Sequence, residues 1–241
     1  MKNLTDPPNK SPNKTNASVC PEEVNRLEQQ VNSSLFSFCF LFRILFFLAI
    51  TVIGVVADLE TKNRVFQEIG MPGMYRFIEE PELSGVYWLW EGVLGFQTSL
   101  NQGALFGMGQ GQIFWLTLFS FIFLIGILVW MIHSAWKSWF LVVTLGLIVA
   151  GIIGNLYDRL GLHGLRWDNG ANGEPVYAVR DWILVMLGSY PWPNFNIADS
   201  MLVCGAFLLA FHSFFVMDMK DTVAKNTDSP SCEQAIEKTK R

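Results

Sequence analysis

Three aspartates of this chain stand beside long apolar segments, where an ionisable side chain is costly to bury. Asp58 ends the first apolar run, Asp158 follows the third, and Asp199 begins the fourth. Charged groups at membrane depth are usually kept because they serve a function. These three carboxylates are therefore the first candidates for chemistry.

Two of the aspartates have an asparagine three residues earlier. Asn155 precedes Asp158 in GIIGNLYDRL, and Asn196 precedes Asp199 in PWPNFNIADS. Residues three apart share one face of a helix, and an asparagine amide can donate to a nearby carboxylate. The two matched units predict a pair of amide-supported carboxylates at one end of two neighbouring helices.

Two carboxylates that face each other share a proton, because both cannot easily ionise together. The ionised member can take a proton from water while the protonated member donates to the carbonyl of a peptide bond. Asp158 and Asp199 are accordingly predicted to form an aspartic peptidase dyad. Such chemistry needs neither a metal ion nor a cofactor.

Other catalytic schemes find less support among the histidines and cysteines. No Gly-x-Ser-x-Gly motif and no C-x-x-C pair occurs, and no clustered ligands have zinc spacing. Only one histidine, His163, is expected on the same side as the aspartates. The residues concerned are His133, His163, His212, Cys20, Cys39, Cys204 and Cys232.

The elements that must position these residues are membrane helices. Hydrophobic residues make up 51% of the chain and charged residues only 16%, which is typical of a membrane protein. No basic cluster indicates a nucleic-acid partner. We expect an integral membrane α-helical protein with four transmembrane helices, since a span needs about 20 apolar residues. The predicted spans are about 36–57, 113–132, 139–154 and 198–217.

The connections set the topology. With four spans, the long connections 58–112 and 155–197 lie on one side, and both termini lie on the other with the turn at 133–138. The termini side has an excess of Lys and Arg, which marks the cytoplasm. The long connections are therefore predicted to be extracytoplasmic, and residues 1–33 and 218–241 to be cytoplasmic tails around a membrane domain over 34–217.

The first long connection contains a strand pattern. Val86, Trp88 and Trp90 alternate and are followed by glycines, which predicts a small extracytoplasmic β-element. Its aromatic residues suit the surface of the bilayer. The second long connection is predicted to form an outer loop between helices 3 and 4. The polar segment 1–33 is predicted to be a disordered tail, with room for one short helix in PEEVNRLEQQVNSSL.

Two other kinds of protein also place carboxylates among membrane helices. A carrier or proton-conducting protein should show internal repeats or broken helices, and no repeat is evident here. A structural assembly protein that binds partners through its outer β-element would not require paired Asn-x-x-Asp units. The residues favour the peptidase over both.

Five motifs in order resemble bacterial lipoprotein signal peptidase, which is also called signal peptidase II. They are VVADLETK, NQGALFG, GNLYDR, VRDWI and FNIADS. The resemblance runs from about Phe36 to Met217. It implies an aspartic endopeptidase of the bacterial inner membrane that removes signal peptides from prolipoproteins, cutting before a diacylglyceryl-modified cysteine. The implied partners are that substrate and membrane lipids, and the implied state is a monomer.

The resemblance also assigns roles. It makes Asp158 and Asp199 the catalytic pair, has Asp181 steady the outer loop, and makes Asp58 a supporting residue with Lys62 nearby. It has Asn155, Asn196 and Ala198 shape the pocket, and Asn101, Gly103 and Arg159 help to bind the substrate. A tight pocket for small residues is expected at Gly103, Ala104 and Ala198.

The chain departs from the family pattern at three places. Leu59 follows Asp58 where the family usually has glutamine, and Arg180 is an unusual charge in VRDWI. An insertion over residues 161–178 contains the turn-rich stretch DNGANGEP. This insertion is predicted to extend the outer face as a lid or a partner surface.

Overall fold

The structure is a computed structural model that describes residues 21–72, 85–103, 112–133, 138–167 and 173–227. Two compact units divide the chain, Met1–Leu41 and Phe42–Arg241. In the first unit the described residues are helical. The second unit holds the sheet and every contact discussed below. Ala104 and residues 168–172 lie outside the described ranges.

Four helices make up most of the described chain: α1 (Pro21–Glu68), α2 (Ile113–His133), α3 (Trp139–Arg159) and α4 (Ile197–Thr227). Each contains a segment that is long and apolar enough to cross a membrane. Large apolar side chains stay exposed along α1, α2 and α4, which suits hydrocarbon surroundings rather than water. The predicted fold class, four membrane helices with a small β-element, is confirmed.

Three helices are longer by several residues than their predicted apolar runs, and α4 continues past its predicted end at 217 to Thr227. α1 starts at Pro21, within the segment predicted as a tail, because proline suits the first turn of a helix and the following Glu, Leu and Gln residues favour helix. It also continues past Asp58, where Lys62 pairs with Asp58 one turn later. α3 extends to Arg159, so Asn155 and Asp158 are helical as expected.

A four-stranded antiparallel sheet joins the two long connections, with strands β1 (Tyr87–Trp90), β2 (Leu94–Asn101), β3 (Val179–Leu187) and β4 (Tyr190–Pro191) in spatial order β1-β2-β3-β4. β1 and β2 contain the predicted strand pattern. β3 was not predicted: its first four residues are all buried, so it lacks the alternation that reveals a half-buried strand.

α3 is the central helix of the bundle, and glycines let its neighbours approach it closely. A Cβ at Gly151 would lie 2.6 Å from the Ala198 carbonyl oxygen of α4. A Cβ at Gly54 of α1 would lie 2.7 Å from the Ala150 Cβ. Small residues at helix contacts in membranes allow this van der Waals packing. The packing brings the ends of α1 and α3 and the start of α4 together.

The insertion after α3 contributes a short antiparallel bridge between Arg166 and Pro175. Val176 is fully buried in a small apolar cluster with Met71 and Ala178. The described part of the insertion is thus anchored beside the sheet. Its predicted role as a lid or partner surface stays a prediction.

Candidate active site

A buried ionic cluster joins α1, α3 and β3. Lys62 Nζ lies 2.7 Å from Asp58 Oδ2 and 3.1 Å from Asp158 Oδ2, and all three side chains are fully buried. Lys62 also donates to Asn155 Oδ1 at 3.2 Å. The other oxygen of Asp58, Oδ1, accepts from the Ala198 backbone N–H at 2.9 Å. One lysine therefore connects two carboxylates, and through Asp58 the cluster also holds the first turn of α4.

Arg180 of β3 is the fourth charged member of this cluster. Its Nε and Nη2 donate to Asp158 Oδ1 at 3.0 and 2.8 Å, and its backbone N–H donates to Asp158 Oδ2 at 3.0 Å. Its Nη1 donates to Asn63 Oδ1 at 2.6 Å. Both guanidinium bonds reach the same oxygen, Oδ1, and both are charge-assisted, which makes them stronger than bonds between neutral groups. Asp158 thus has both oxygens engaged by cations.

Asp181, the next residue of β3, has a different kind of partner. Asn196 Nδ2 donates to Asp181 Oδ1 at 2.6 Å, and Asn101 Nδ2 donates to Asp181 Oδ2 at 3.1 Å. Successive side chains of a strand point to opposite faces, which explains why Arg180 and Asp181 reach different groups. Asp181 is therefore held by neutral amides from β2 and the start of α4.

Asp199, in the first turn of α4, is also held by amides. Asn155 Nδ2 donates to Asp199 Oδ1 at 2.8 Å, and the Asn196 backbone N–H donates to Asp199 Oδ2 at 3.2 Å. Asn196 Oδ1 in turn accepts from the Asp199 backbone N–H at 2.8 Å, as an N-cap does. Asn196 Nδ2 also donates to Asn155 Oδ1 at 3.1 Å. Asn196 thus contacts both aspartates directly.

The ion pairs among the described residues include neither Asp181 nor Asp199. Burial raises the pKa of Asp181 to about 8, and the negative charge of Asp199 acts in the same direction. Hydrogen bonds from Asn101 and Asn196 and the positive charge of Lys62 act against this rise. Asp181 consequently keeps its proton at neutral pH, next to a half-buried Asp199.

A cavity of about 720 Å³ opens beside Asp199. Its lining combines polar and apolar side chains. Among them are Asn101, Asn155, Arg159, Asp199 and Leu202. Arg159 Nη2 donates to the Gly103 carbonyl oxygen at 3.5 Å, and the Gly103 N–H donates to Asn101 Oδ1 at 2.9 Å. The three residues expected to bind substrate therefore contact one another at the cavity.

The contacts of Asp158 differ from those expected for a catalytic residue. We expected Asp158 to share a proton with Asp199, but both oxygens of Asp158 face cations, with Arg180 at Oδ1 and Lys62 at Oδ2. Asp181, in contrast, is linked to Asp199 through Asn196. The geometry favours Asp181 over Asp158 as the partner of Asp199.

The sequence did not predict the contacts of two further residues, Lys62 and Arg180. Lys62 and Arg180 connect α1, α3 and β3, although the family resemblance makes Lys62 only a neighbour of Asp58 and leaves Arg180 as an unusual charge. Arg180 has apolar neighbours in VRDWI, and this was the available signal, whereas Lys62 lies in the polar stretch LETKNR. The two Asn-x-x-Asp units also bond to each other. Asn155 donates to Asp199 of the other unit, while Asn196 contacts both Asp181 and Asp199.

The chain is similar to known membrane peptidases. A family model described as signal peptidase (SPase) II matches residues 50–215. The lipoprotein signal peptidase of Rhodopirellula baltica is 40% identical over 170 residues, which cover 70% of this chain and 71% of that protein. The lipoprotein signal peptidase of Xylella fastidiosa strain M12 is 30% identical over 175 residues, covering 71% of this chain and 89% of that protein.

A solved bacterial membrane enzyme has a similar fold. It aligns with a TM-score of 0.55 at 26% identity, and the alignment covers 76% of this chain and 92% of that enzyme. The region matched by the family model contains Asp58, Asp158, Asp181 and Asp199.

Proposed function

The chain belongs to the signal peptidase II family of membrane peptidases, and from that premise we propose that Asp181 and Asp199 form its aspartic dyad. The substrate is a prolipoprotein with a diacylglyceryl-modified cysteine, and the bond cut is the one before that cysteine. The observation that carries the proposal is the amide-held carboxylate pair, which no ion pair among the described residues neutralises. This replaces the Asp158–Asp199 pairing expected from the sequence.

The two aspartates have different roles in this proposal, because their surroundings differ. Asp181 is the more buried and holds the proton, so it donates to the carbonyl oxygen of the scissile bond. Asp199 borders the cavity and accepts a proton from a water molecule. The water oxygen bonds to the carbonyl carbon and gives a tetrahedral diol.

Breakdown of the diol completes hydrolysis. The carbon–nitrogen bond breaks as Asp199 returns its proton to the leaving nitrogen, which becomes the free amino group of the lipidated cysteine. Asp181 regains its proton as the carbonyl reforms into the carboxylic acid of the released signal peptide. Asn155 and Asn196 keep both aspartates oriented through their amide hydrogen bonds.

The remaining cavity residues suit a peptide backbone with a lipid chain nearby. Asn101, Gly103 and Arg159 offer polar contacts, whereas Leu202 and Val203 offer an apolar wall. A lipidated cysteine keeps its acyl chains in the bilayer, so its peptide bond meets a site at the ends of membrane helices. The proposed reaction needs no metal ion, because the two carboxyl groups activate the water by themselves.

Cleavage of a diacylglyceryl-modified prolipoprotein by the purified full-length chain tests the proposal. We expect Asp181→Asn and Asp199→Asn each to lower the cleavage rate by about 10³-fold or more, because each removes one member of a pair that acts as a unit. Glu60→Gln, at an exposed site on α1, is the control and should cleave normally.

The Asp158→Asn variant distinguishes the two pairings. We expect it to retain cleavage within about tenfold of the unmodified chain at its own optimum pH. If a folded Asp181→Asn variant cleaved normally while Asp158→Asn were inactive, the pairing expected from the sequence would stand and ours would be refuted.

We also propose that the peptidase acts as a monomer in the bacterial inner membrane, with its active site at the extracytoplasmic face and its termini in the cytoplasm. The excess of Lys and Arg on the termini side supports this orientation. Reporter fusions at His133 and Asn172 test it. A cytoplasmic signal from Asn172 would reverse the topology.

A further inference from the structure

The ionic cluster contains two carboxylates and two cations, so its formal charges cancel. Asp58 and Asp158 are balanced by Lys62 and Arg180, and each of these side chains is at most 2% exposed. Charges this deeply buried are weakly screened by salt or water. Any imbalance in the cluster therefore acts on neighbouring ionisable groups.

Arg180 joins this cluster to the proposed dyad through the backbone of β3. Its own side chain bonds Asp158 and Asn63, while Asp181 directly follows it on the opposite face of the strand. Lys62 contributes to the electrostatic environment of Asp181 as well as binding Asp158. The cluster is thus close enough for its net charge to reach the dyad.

We propose that Arg180 is a positioning residue for the peptidase reaction: it is the counter-charge that keeps the ionic cluster neutral and thereby sets the pH range in which the Asp181–Asp199 pair holds one proton. This inference rests on the proposed function and deepens it. It gives a role to the charge in VRDWI that the family pattern left unexplained.

The charged groups that act on Asp181 come from three helices. They are Asp199 of α4, Lys62 of α1 and Arg159 of α3. Asp158, at the other end of the Arg180 contact, is acted on by Asp58, Lys62, Arg159, His163 and Arg180. Removing the Arg180 charge leaves the four-member cluster with one net negative charge, while removing the Asp158 charge leaves one net positive charge.

The two imbalances have opposite signs, and so should their effects. A net negative charge favours the protonated pair, so Arg180→Gln should move both limbs of the pH–rate profile to higher pH, by about one unit. A net positive charge favours ionisation, so Asp158→Asn should move both limbs to lower pH by a similar amount. If Arg180 had only a structural role, both variants would lose activity, but their pH–rate profiles would not move in opposite directions.

Two further variants complete the design. The double variant Arg180→Gln/Asp158→Asn is neutral again and should return the profile to that of the unmodified chain. Arg180→Lys keeps the charge and should leave the profile in place. Arg180→Gln alone leaves a buried carboxylate short of one cation and so carries a risk of misfolding, but the other three variants test the inference without it.

The experiment measures kcat and KM for a diacylglyceryl-modified prolipoprotein from pH 4 to 10, with the full chain and each variant. Infrared titration of the protonated carboxyl band, assigned with Asp181→Asn, follows the pair without turnover. If the unmodified chain does not cleave the substrate, the proposed function fails, while the infrared titration still decides the role of Arg180. Shifts of the same sign in the two single variants, or an unchanged carboxyl titration, would overturn this inference.

Discussion

Two carboxylate pairs meet at the same ends of the helices, and they differ in what neutralises them. Asp58 and Asp158 are fully buried and are bound by Lys62 and Arg180. Asp181 and Asp199 are bound by neutral amides from asparagines instead. Burial with a cation favours a permanent ion pair, whereas burial beside a second carboxylate, with no cation at ion-pair distance, favours a shared proton.

The difference shows that burial alone does not identify a reactive aspartate. Asp158 is more deeply buried than Asp199, yet both of its oxygens lie within ion-pair distance of a cation. Asp181 is almost as buried as Asp158 but lacks a cation within ion-pair distance among the described residues. The chemistry follows from the partners. Three predictions test this contrast, from the largest expected effect to the smallest.

Lys62→Met should destabilise the protein most. It leaves Asp58 and Asp158 buried with one cation between them, and breaking a buried ion pair costs about 3–5 kcal/mol. The measurement is the free energy of unfolding in detergent or mixed micelles.

Arg64→Met is the matched control, because Arg64 pairs with Glu60 on the same helix at an exposed site. Exposed pairs contribute about 0–1 kcal/mol, so the control should unfold nearly as the unmodified chain does. Equal losses in Lys62→Met and Arg64→Met would show that the buried cluster is not the structural centre.

Gly154→Ala should also disturb the ionic cluster, through packing rather than charge. A Cβ at this position would collide with the Asp58 carboxylate, which Lys62 holds in place. Such overpacking costs about 1–3 kcal/mol.

Gly126→Ala on α2 provides the comparison, since a Cβ there meets no atom within 4 Å. Thermal unfolding of both variants in the same detergent measures the difference. A Gly154→Ala variant as stable as Gly126→Ala would argue against a rigid cluster.

Asp181→Asn should stabilise the fold slightly at alkaline pH while abolishing cleavage. The pKa of Asp181 is raised to about 8, above its ordinary value of about 3.9 in an unfolded chain. The stability that the protonated form contributes is full below about pH 4 and is lost as the pH rises to about 8. An asparagine side chain at this position stays neutral over the whole pH range, so its contribution to stability does not fall as the pH rises.

The expected gain for Asp181→Asn is therefore close to zero at pH 4 and increases as the pH rises to 8. Unfolding curves at both pH values measure it. Asp158→Asn is the contrasting variant and should be less stable than the unmodified chain at pH 8, because it leaves the buried Arg180 without a carboxylate and Lys62 with Asp58 alone. A gain in both variants would remove the distinction between the two pairs.

The sequence by itself determined the membrane helices, a small β-element in the first long connection and most of the polar residues at the site. Apolar length defines a span, and alternation defines a half-buried strand, so both are visible in a local window. The Asn-x-x-Asp spacing correctly placed Asn155 with Asp158, and Asn196 with Asp199, on helical turns.

Only the tertiary structure decided which carboxylate meets which partner. Asn101 reaches Asp181 from 80 residues away, and Arg180 reaches Asn63 from 117 residues away. These contacts depend on β3 lying beside β2 and on the glycine-mediated approach of α3 to α4. Neighbouring residues of β3 point to opposite faces, so Arg180 meets Asp158 while Asp181 meets Asn101 and Asn196, and residue spacing alone could not predict these partners.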